Sequence, residues 1–124
     1  MKILVVDDEQ VIADSLAEIL KMFGNEAVSA YSGEQAIKQA LSQPFDVLLT
    51  DVMMPGVNGI QAAQEIIKLH RSCKVILISG NAATAELLRE AESSGLIFEI
   101  LAKPIHPSVV IDHVRSIAQQ RPVN

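Results

Sequence analysis

With 124 residues, 49% of them hydrophobic, the chain has room for one domain whose core needs neither disulfides nor a structural metal. A balance of 15 acids against 10 bases, with a pI near 5.1, argues against a nucleic-acid surface and against membrane-surface binding, since both draw on clustered Lys and Arg. The apolar stretch of MKILVVDDEQ is too short for a signal peptide, no run approaches a membrane span, and the lone Cys73 has no partner for an internal disulfide, so a cytoplasmic domain over residues 1–124 is expected.

Apolar runs suited to buried strands alternate with amphipathic stretches of helical period. The first strand is expected over Lys2–Asp7, and then Ile12, Leu16, Ile19, Leu20 and Phe23 form one helical stripe with Gly24 at its stop. Glu26–Tyr31 reads as the second strand. Ser32 stands three before Gln35, a capping-box spacing that opens a second helix with Ile37, Ala40 and Leu41 toward the core. Asp46–Thr50 is the third strand, and Asn58-Gly59 precede a third helix with Ile60, Ala63, Ile67 and His70 on its stripe. Lys74–Ser79 is the fourth strand, followed by a helix from about Ala83 to Ser93 that Gly95 ends. Ile97–Ala102 is the fifth strand, and the last helix begins near Pro107 and buries Val110, Val114, Ile117 and Ala118.

Five βα units in succession imply right-handed crossovers and an α/β fold: a doubly wound, five-stranded parallel sheet of order 2-1-3-4-5, flavodoxin-like (βα)5. In such sheets ligands bind beyond the carboxyl ends of the strands where the order reverses, between strands 1 and 3. Those ends carry Asp7-Asp8 and Asp51, while strand 4 ends in Ser79-Gly80 and strand 5 in Lys103-Pro104. Taken singly, each has a structural explanation: Asp8 as a helix N-cap, Asp51 as an Asx-turn, Ser79 as a loop hydroxyl, Lys103 as a solvated charge.

Together they fall on one rim. Three carboxylates converging there repel by roughly 4 kcal/mol per pair at 4 Å and an effective dielectric near 20, unless a cation sits among them. Oxygen donors without His or Cys select a hard ion, and a rim open to water suits Mg²⁺, with Mn²⁺ as the alternative, at Asp8 and Asp51 with Asp7 in reserve. A carboxylate beside Mg²⁺, a hydroxyl and an ammonium are the parts needed for phosphoryl transfer. Asp51 is then the nucleophile that forms an aspartyl phosphate, and Mg²⁺, Lys103 and the Ser79 hydroxyl hold the phosphoryl oxygens.

The pieces ILVVDDE, LLTDVMMPGVNG, VILISGNA and AKPI, spread over nearly the whole chain, resemble the receiver domain of bacterial two-component response regulators. The resemblance implies Asp51 as phosphoacceptor, Asp7 and Asp8 as the metal-binding acidic pair, the Met53 backbone carbonyl as a further metal ligand, Ser79 as hydroxyl switch, Lys103 as phosphate-binding lysine and a cis Lys103–Pro104 bond. It also implies a histidine kinase or histidine phosphotransfer protein as phosphoryl donor, a downstream protein as listener, and a monomer or a phosphorylation-dependent dimer. No external substrate turnover is expected.

Two departures from the family pattern stand out. Three residues before Lys103, where the family usually has Tyr or Phe, the chain has Ile100; Phe98 shares that strand face but lies about 7 Å further from the site at a rise of about 3.3 Å per residue. The interval from Gly95 to Lys103 is one residue longer than the common pattern, which implies a bulge or a longer loop.

Competing readings are weaker. An aspartate-nucleophile phosphatase needs Asp-x-Asp rather than the adjacent Asp7-Asp8, a flavodoxin-like cofactor binder meets an acidic rim and few aromatics, and a receiver-like interaction module that is never phosphorylated has no use for the complete acceptor set. His70, His106 and His113 are read as satisfied surface or boundary imidazoles, and Cys73 as an inert, partly buried thiol.

Overall fold

The computed structural model describes residues 1–80 and 85–120. In chain order it forms β1 (Lys2–Val6), α1 (Gln10–Met22), β2 (Glu26–Ala30), α2 (Gly33–Ser42), β3 (Val47–Asp51), α3 (Gly59–Leu69), β4 (Lys74–Ser79), α4 (Ala85–Ser93), β5 (Glu99–Ala102) and α5 (Pro107–Gln119). All strand pairings are parallel and the order is β2-β1-β3-β4-β5, the expected doubly wound sheet with its reversal at β1 and β3. No helix among the described residues is long and apolar enough to cross a membrane.

The apolar strands divide their side chains between two layers. Ile3, Val5, Val47, Leu49, Ile76 and Ile78 face α1 and α5, whereas Leu4, Val6, Leu48 and Leu77 face α2, α3 and α4. Alternation within unbroken Val/Ile/Leu runs is what a sheet covered on both faces demands, because each successive side chain enters one core or the other.

Helices α1 and α2 sit largely on their small residues. On α1 the buried positions are Ala13, Ala17 and Leu20, with Ile12, Leu16 and Ile19 half-buried beside them, and Phe23 is 52% exposed. Its ring instead meets the Arg115 guanidinium carbon at 5.3 Å, a cation–π contact. On α2 the buried residues are Gly33, Ala36 and Ala40, and Leu41 is exposed, contrary to the expected stripe. On α5 Ile111 is buried and Ala118 is not. On α1 and α2 close approach of the helix to the sheet favours Ala along the contact line, and counting large apolar residues alone displaces the predicted face; on α5 the contact line is Val and Ile.

At the fifth unit, β5 starts at Glu99, two residues after the expected Ile97. Its register with β4 runs without a bulge from Ile76↔Glu99 to Ser79↔Ala102, so the extra residue is absorbed in the loop before the strand, where Ile97 is 88% exposed. The expected start of the fourth helix at Ala83 lies outside the described residues. Asn58 and Gln61 form a reciprocal capping box on α3; at α2 the Ser32 hydroxyl accepts from the Gln35 N–H at 3.0 Å, but the Gln35 side chain reaches one residue further back, to the Tyr31 N–H.

Gly59 holds β3 and α3 together. Its N–H donates to the Val52 carbonyl at 2.9 Å, and a Cβ there would run into the backbone oxygen of Asp51. Gly59→Ala is therefore expected to destabilise the fold by about 1–3 kcal/mol through forced backbone movement, read as a lower urea midpoint at unchanged slope.

Candidate functional site

Strand β1 ends at Val6, so Asp7 and Asp8 lie beyond the strict alternation of the strand and need not point to opposite sides. One carboxylate oxygen each from Asp7, Asp8 and Asp51 lies within 4.8 Å of the others. Asp51 is the last residue of β3, beside β1 at the point where the strand order reverses. From the far side of β4, Lys103 crosses the rim and places its Nζ 3.0 Å from Asp51 Oδ2.

The turn role expected of an Asp at a strand end belongs to Asp7, whose Oδ1 accepts from the Glu9 N–H at 2.9 Å. Asp8 is exposed and is not the N-cap of α1; that position is Glu9, which makes no side-chain cap bond. Asp7 is buried, and its Oδ2 has no hydrogen-bond partner among the described residues. Burial pushes the Asp7 carboxyl up from its ordinary range; the Glu9 N–H opposes this, Asp51 and Asp8 add to it, and Lys103 offsets part. Partial burial pulls the Lys103 ammonium down, but the hydrogen bond and charge of Asp51, with Asp7 and Glu9 behind it, outweigh this and leave it raised.

A buried, unpartnered carboxylate oxygen is a costly feature, and here it sits in a cluster of oxygen-only donors. That donor set fits a hard divalent cation such as Mg²⁺, which takes one or two carboxylates and keeps water in its remaining positions. The lysine alone supplies one positive charge against three carboxylates.

The other expected site residues are placed as follows. Ser79 is the last residue of β4, half-buried, and its carbonyl accepts from the Lys103 N–H at 2.9 Å, which ties the ends of β4 and β5 together. Met53 follows β3 in the loop before α3 with its side chain 47% exposed, while Met54 is buried in the core. The Lys103–Pro104 bond is cis. Ile100 lies on β5 with 46% exposure, and Phe98 is half-buried before the strand, against the core of the α2–α4 layer.

Three supporting residues escaped the reading of the sequence. A Cβ on Gly80 would come within 3.0 Å of the Lys103 stem, so the glycine clears the path by which the ammonium reaches Asp51. Thr50, fully buried, donates its hydroxyl to the Asp51 carbonyl at 3.0 Å, and Gly59 admits that same carbonyl. The available signals were a Gly directly after an apolar strand and a Thr inside an otherwise aliphatic one.

The remaining candidates are quiet. The Cys73 thiol is buried and pushed up to about 12 by burial, with Asp46 adding to it, so it is not a thiolate nucleophile. His70 Nε2 meets the Ala40 carbonyl at 2.7 Å, His113 Nδ1 meets Glu99 at 3.3 Å, and His106 Nδ1 accepts from the Ser108 N–H as the cap of α5.

The sequence matches the family described as response regulator receiver domain over residues 3–115. It is 33% identical over 109 residues to a response regulator receiver protein of Anaeromyxobacter sp. (strain Fw109-5), covering 88% of this chain and 45% of that protein. Among solved structures, a two component transcriptional regulator AraC from Clostridium phytofermentans has 36% identity and a TM-score of 0.83, covering 96% of this chain and 93% of that one. The response regulator TrrA of Thermotoga maritima, in complex with Mg²⁺-BeF, has 33% identity and a TM-score of 0.79, covering 94% and 97%. The chain spans about half, or less, of the length of several curated relatives it matches.

The raised Asp7 carboxyl has a definite pH signature. A native pKa above the unfolded one stabilises the fold at low pH, and that contribution is lost as pH rises from the ordinary value of 3.8 through the native one. Metal-free Asp7→Asn should therefore gain stability over wild type across that rise and keep the advantage at neutral pH. A divalent cation such as Mg²⁺ bound through the Asp7 carboxylate would reverse the order, since a ligand at 100 times its dissociation constant adds about 2.7 kcal/mol to the form that binds it. Urea midpoints of both proteins against pH, with and without Mg²⁺, check this.

Proposed function

The chain belongs to the response regulator receiver domain family, and from that premise we infer that it takes a phosphoryl group from a phosphohistidine of a histidine kinase or phosphotransfer protein onto Asp51. The observation that carries the reading is Lys103 Nζ at 3.0 Å from Asp51 Oδ2, inside a cluster of three carboxylates. In the transfer, an Asp51 oxygen attacks phosphorus, a P–O bond forms as the donor's P–N bond breaks, and the leaving imidazole takes up a proton.

Lys103 orients the acceptor and offsets charge growing on the phosphoryl oxygens. Asp7 and Asp8, with Asp51 and the Met53 carbonyl, are proposed to hold Mg²⁺. Bound there, Mg²⁺ would supply positive charge to the acidic cluster and to the incoming phosphoryl group. The Mg²⁺-BeF complex of TrrA supports this choice of ion.

Phosphorylation adds about −1.5 to −2 charges and three acceptor oxygens at Asp51. We propose that Ser79 moves toward the phosphoryl group. The Lys103–Ser79 backbone bond then carries the movement to the β5 end, shifting the face of α4, β5 and α5 that a downstream protein reads. Ile100 lacks the ring and hydroxyl of the usual residue and follows with little steric resistance, which favours weak coupling. The proposed setting is a cytoplasmic two-component or phosphorelay pathway, with no external substrate turned over.

Acetyl phosphate with Mg²⁺ should label wild type and leave Asp51→Asn unlabelled, and Lys103→Ala should slow labelling about tenfold or more. Unchanged label on Asp51→Asn would overturn the acceptor assignment, and an unlabelled wild type would leave a receiver used only for protein interaction. Beryllofluoride should move amide resonances between Ser79 and Arg115; an unmoved segment would sink the proposed route.

A further inference from the structure

The loop from Met53 to Asn58 joins the acceptor strand to α3 and carries the carbonyl proposed as a metal ligand. Its anchors are few. At one end the Val52 N–H donates to the Ile78 carbonyl at 3.0 Å, and at the other Asn58 and Gln61 close the capping box within α3 itself. Between them, among the described residues, the hydrogen bond that reaches the loop from another element comes from the first turn of α2. Glu34 Oε1 accepts from the Val57 N–H at 3.3 Å, across 23 positions of sequence.

The surrounding geometry fits this tie closely. Gly56 has φ +73°, and a Cβ there would stand 3.0 Å from Glu34 Oε2, so the carboxylate lies against the turn itself. Gly33, buried one residue earlier, has no room for a Cβ beside the Val57 carbonyl and side chain. The start of α2 is thus packed on residues 56 and 57, and the Glu34 carboxylate completes the contact at the Val57 N–H.

We propose that Glu34 is a positioning residue for the acceptor loop: by holding the Val57 N–H it fixes the stretch 53–57, and with it the Met53 carbonyl, so that α2 sets the metal affinity of a site it does not touch. The role rests on the proposed function of the site. A carbonyl held in place by a neighbour's hydrogen bond binds a cation without first losing backbone freedom. Releasing the bond returns that entropy cost to the metal-binding step. Val57 then exchanges its charge-assisted partner for water.

Calorimetric Mg²⁺ titration and amide hydrogen exchange on wild type, Glu34→Ala and Glu34→Gln test this. Glu34→Ala should bind Mg²⁺ about three- to tenfold more weakly, at or below the low end of the usual effect of residues that orient a ligand from outside. Its metal-free Val57 amide should exchange faster, while thermal midpoints stay together. Glu34→Gln keeps an acceptor oxygen and should restore most of both. Equal losses in Ala and Gln would assign the effect to charge alone and overturn the positioning role, as would equal affinities in all three proteins. A wild type that binds no Mg²⁺ would sink the reading of the site itself, an outcome that the wild-type titration distinguishes from a failure of Glu34.

Discussion

Three carboxylates and one ammonium meeting at the carboxyl end of a parallel sheet set the terms for the rest of the molecule. Asp7, Asp8 and Asp51 repel one another, Lys103 offsets only part of that repulsion, and Asp7 is left with a buried oxygen that no described residue satisfies. A fold tolerates such a spot only where the surrounding layers are secure. Here two apolar cores, one on each side of the sheet, hold β1 and β3 side by side with every residue of β3 buried. The strain at the rim is local, electrostatic, and open to relief by a cation or by a charged ligand that brings one.

The backbone around Asp51 is arranged with as little freedom as the carboxylates have much. Its carbonyl receives the Thr50 hydroxyl and lies where Gly59 leaves room, so the acceptor strand, its turn and α3 meet within one small volume. Gly80 performs the corresponding service for the lysine. These small residues are spatial requirements of the charged ones: the Asp51–Lys103 contact exists because nothing stands in its path.

The other side of the rim is built more loosely. Ser79 and Lys103 are joined through the backbone, but beyond them β5 is a short edge strand with Ile100 half-exposed and Ile97 almost wholly so on the lengthened loop before it. In place of the usual aromatic stands an aliphatic side chain, Ile100, with nearly half its surface open to solvent. The two sides of the rim are therefore unequally specified: the Asp51 side by several mutually dependent contacts, the β5 side by a short strand with exposed apolar residues.

The amino-acid sequence determined the βα order, the burial of the strands and the grouping of Asp7, Asp8, Asp51 and Lys103 on one rim. Those follow from hydrophobic period and from where each apolar run stops, which are local properties. The faces of α1 and α2 were only partly legible, because Ala lies along the contact lines and carries little signal against Ile or Leu. What tertiary structure alone decided is that Asp7 rather than Asp51 takes the turn bond, that Lys103 reaches Asp51 Oδ2 directly, and that Glu34 reaches Val57. Contacts between residues 23 or 52 positions apart depend on how strands and helices pack, and no local spacing encodes them.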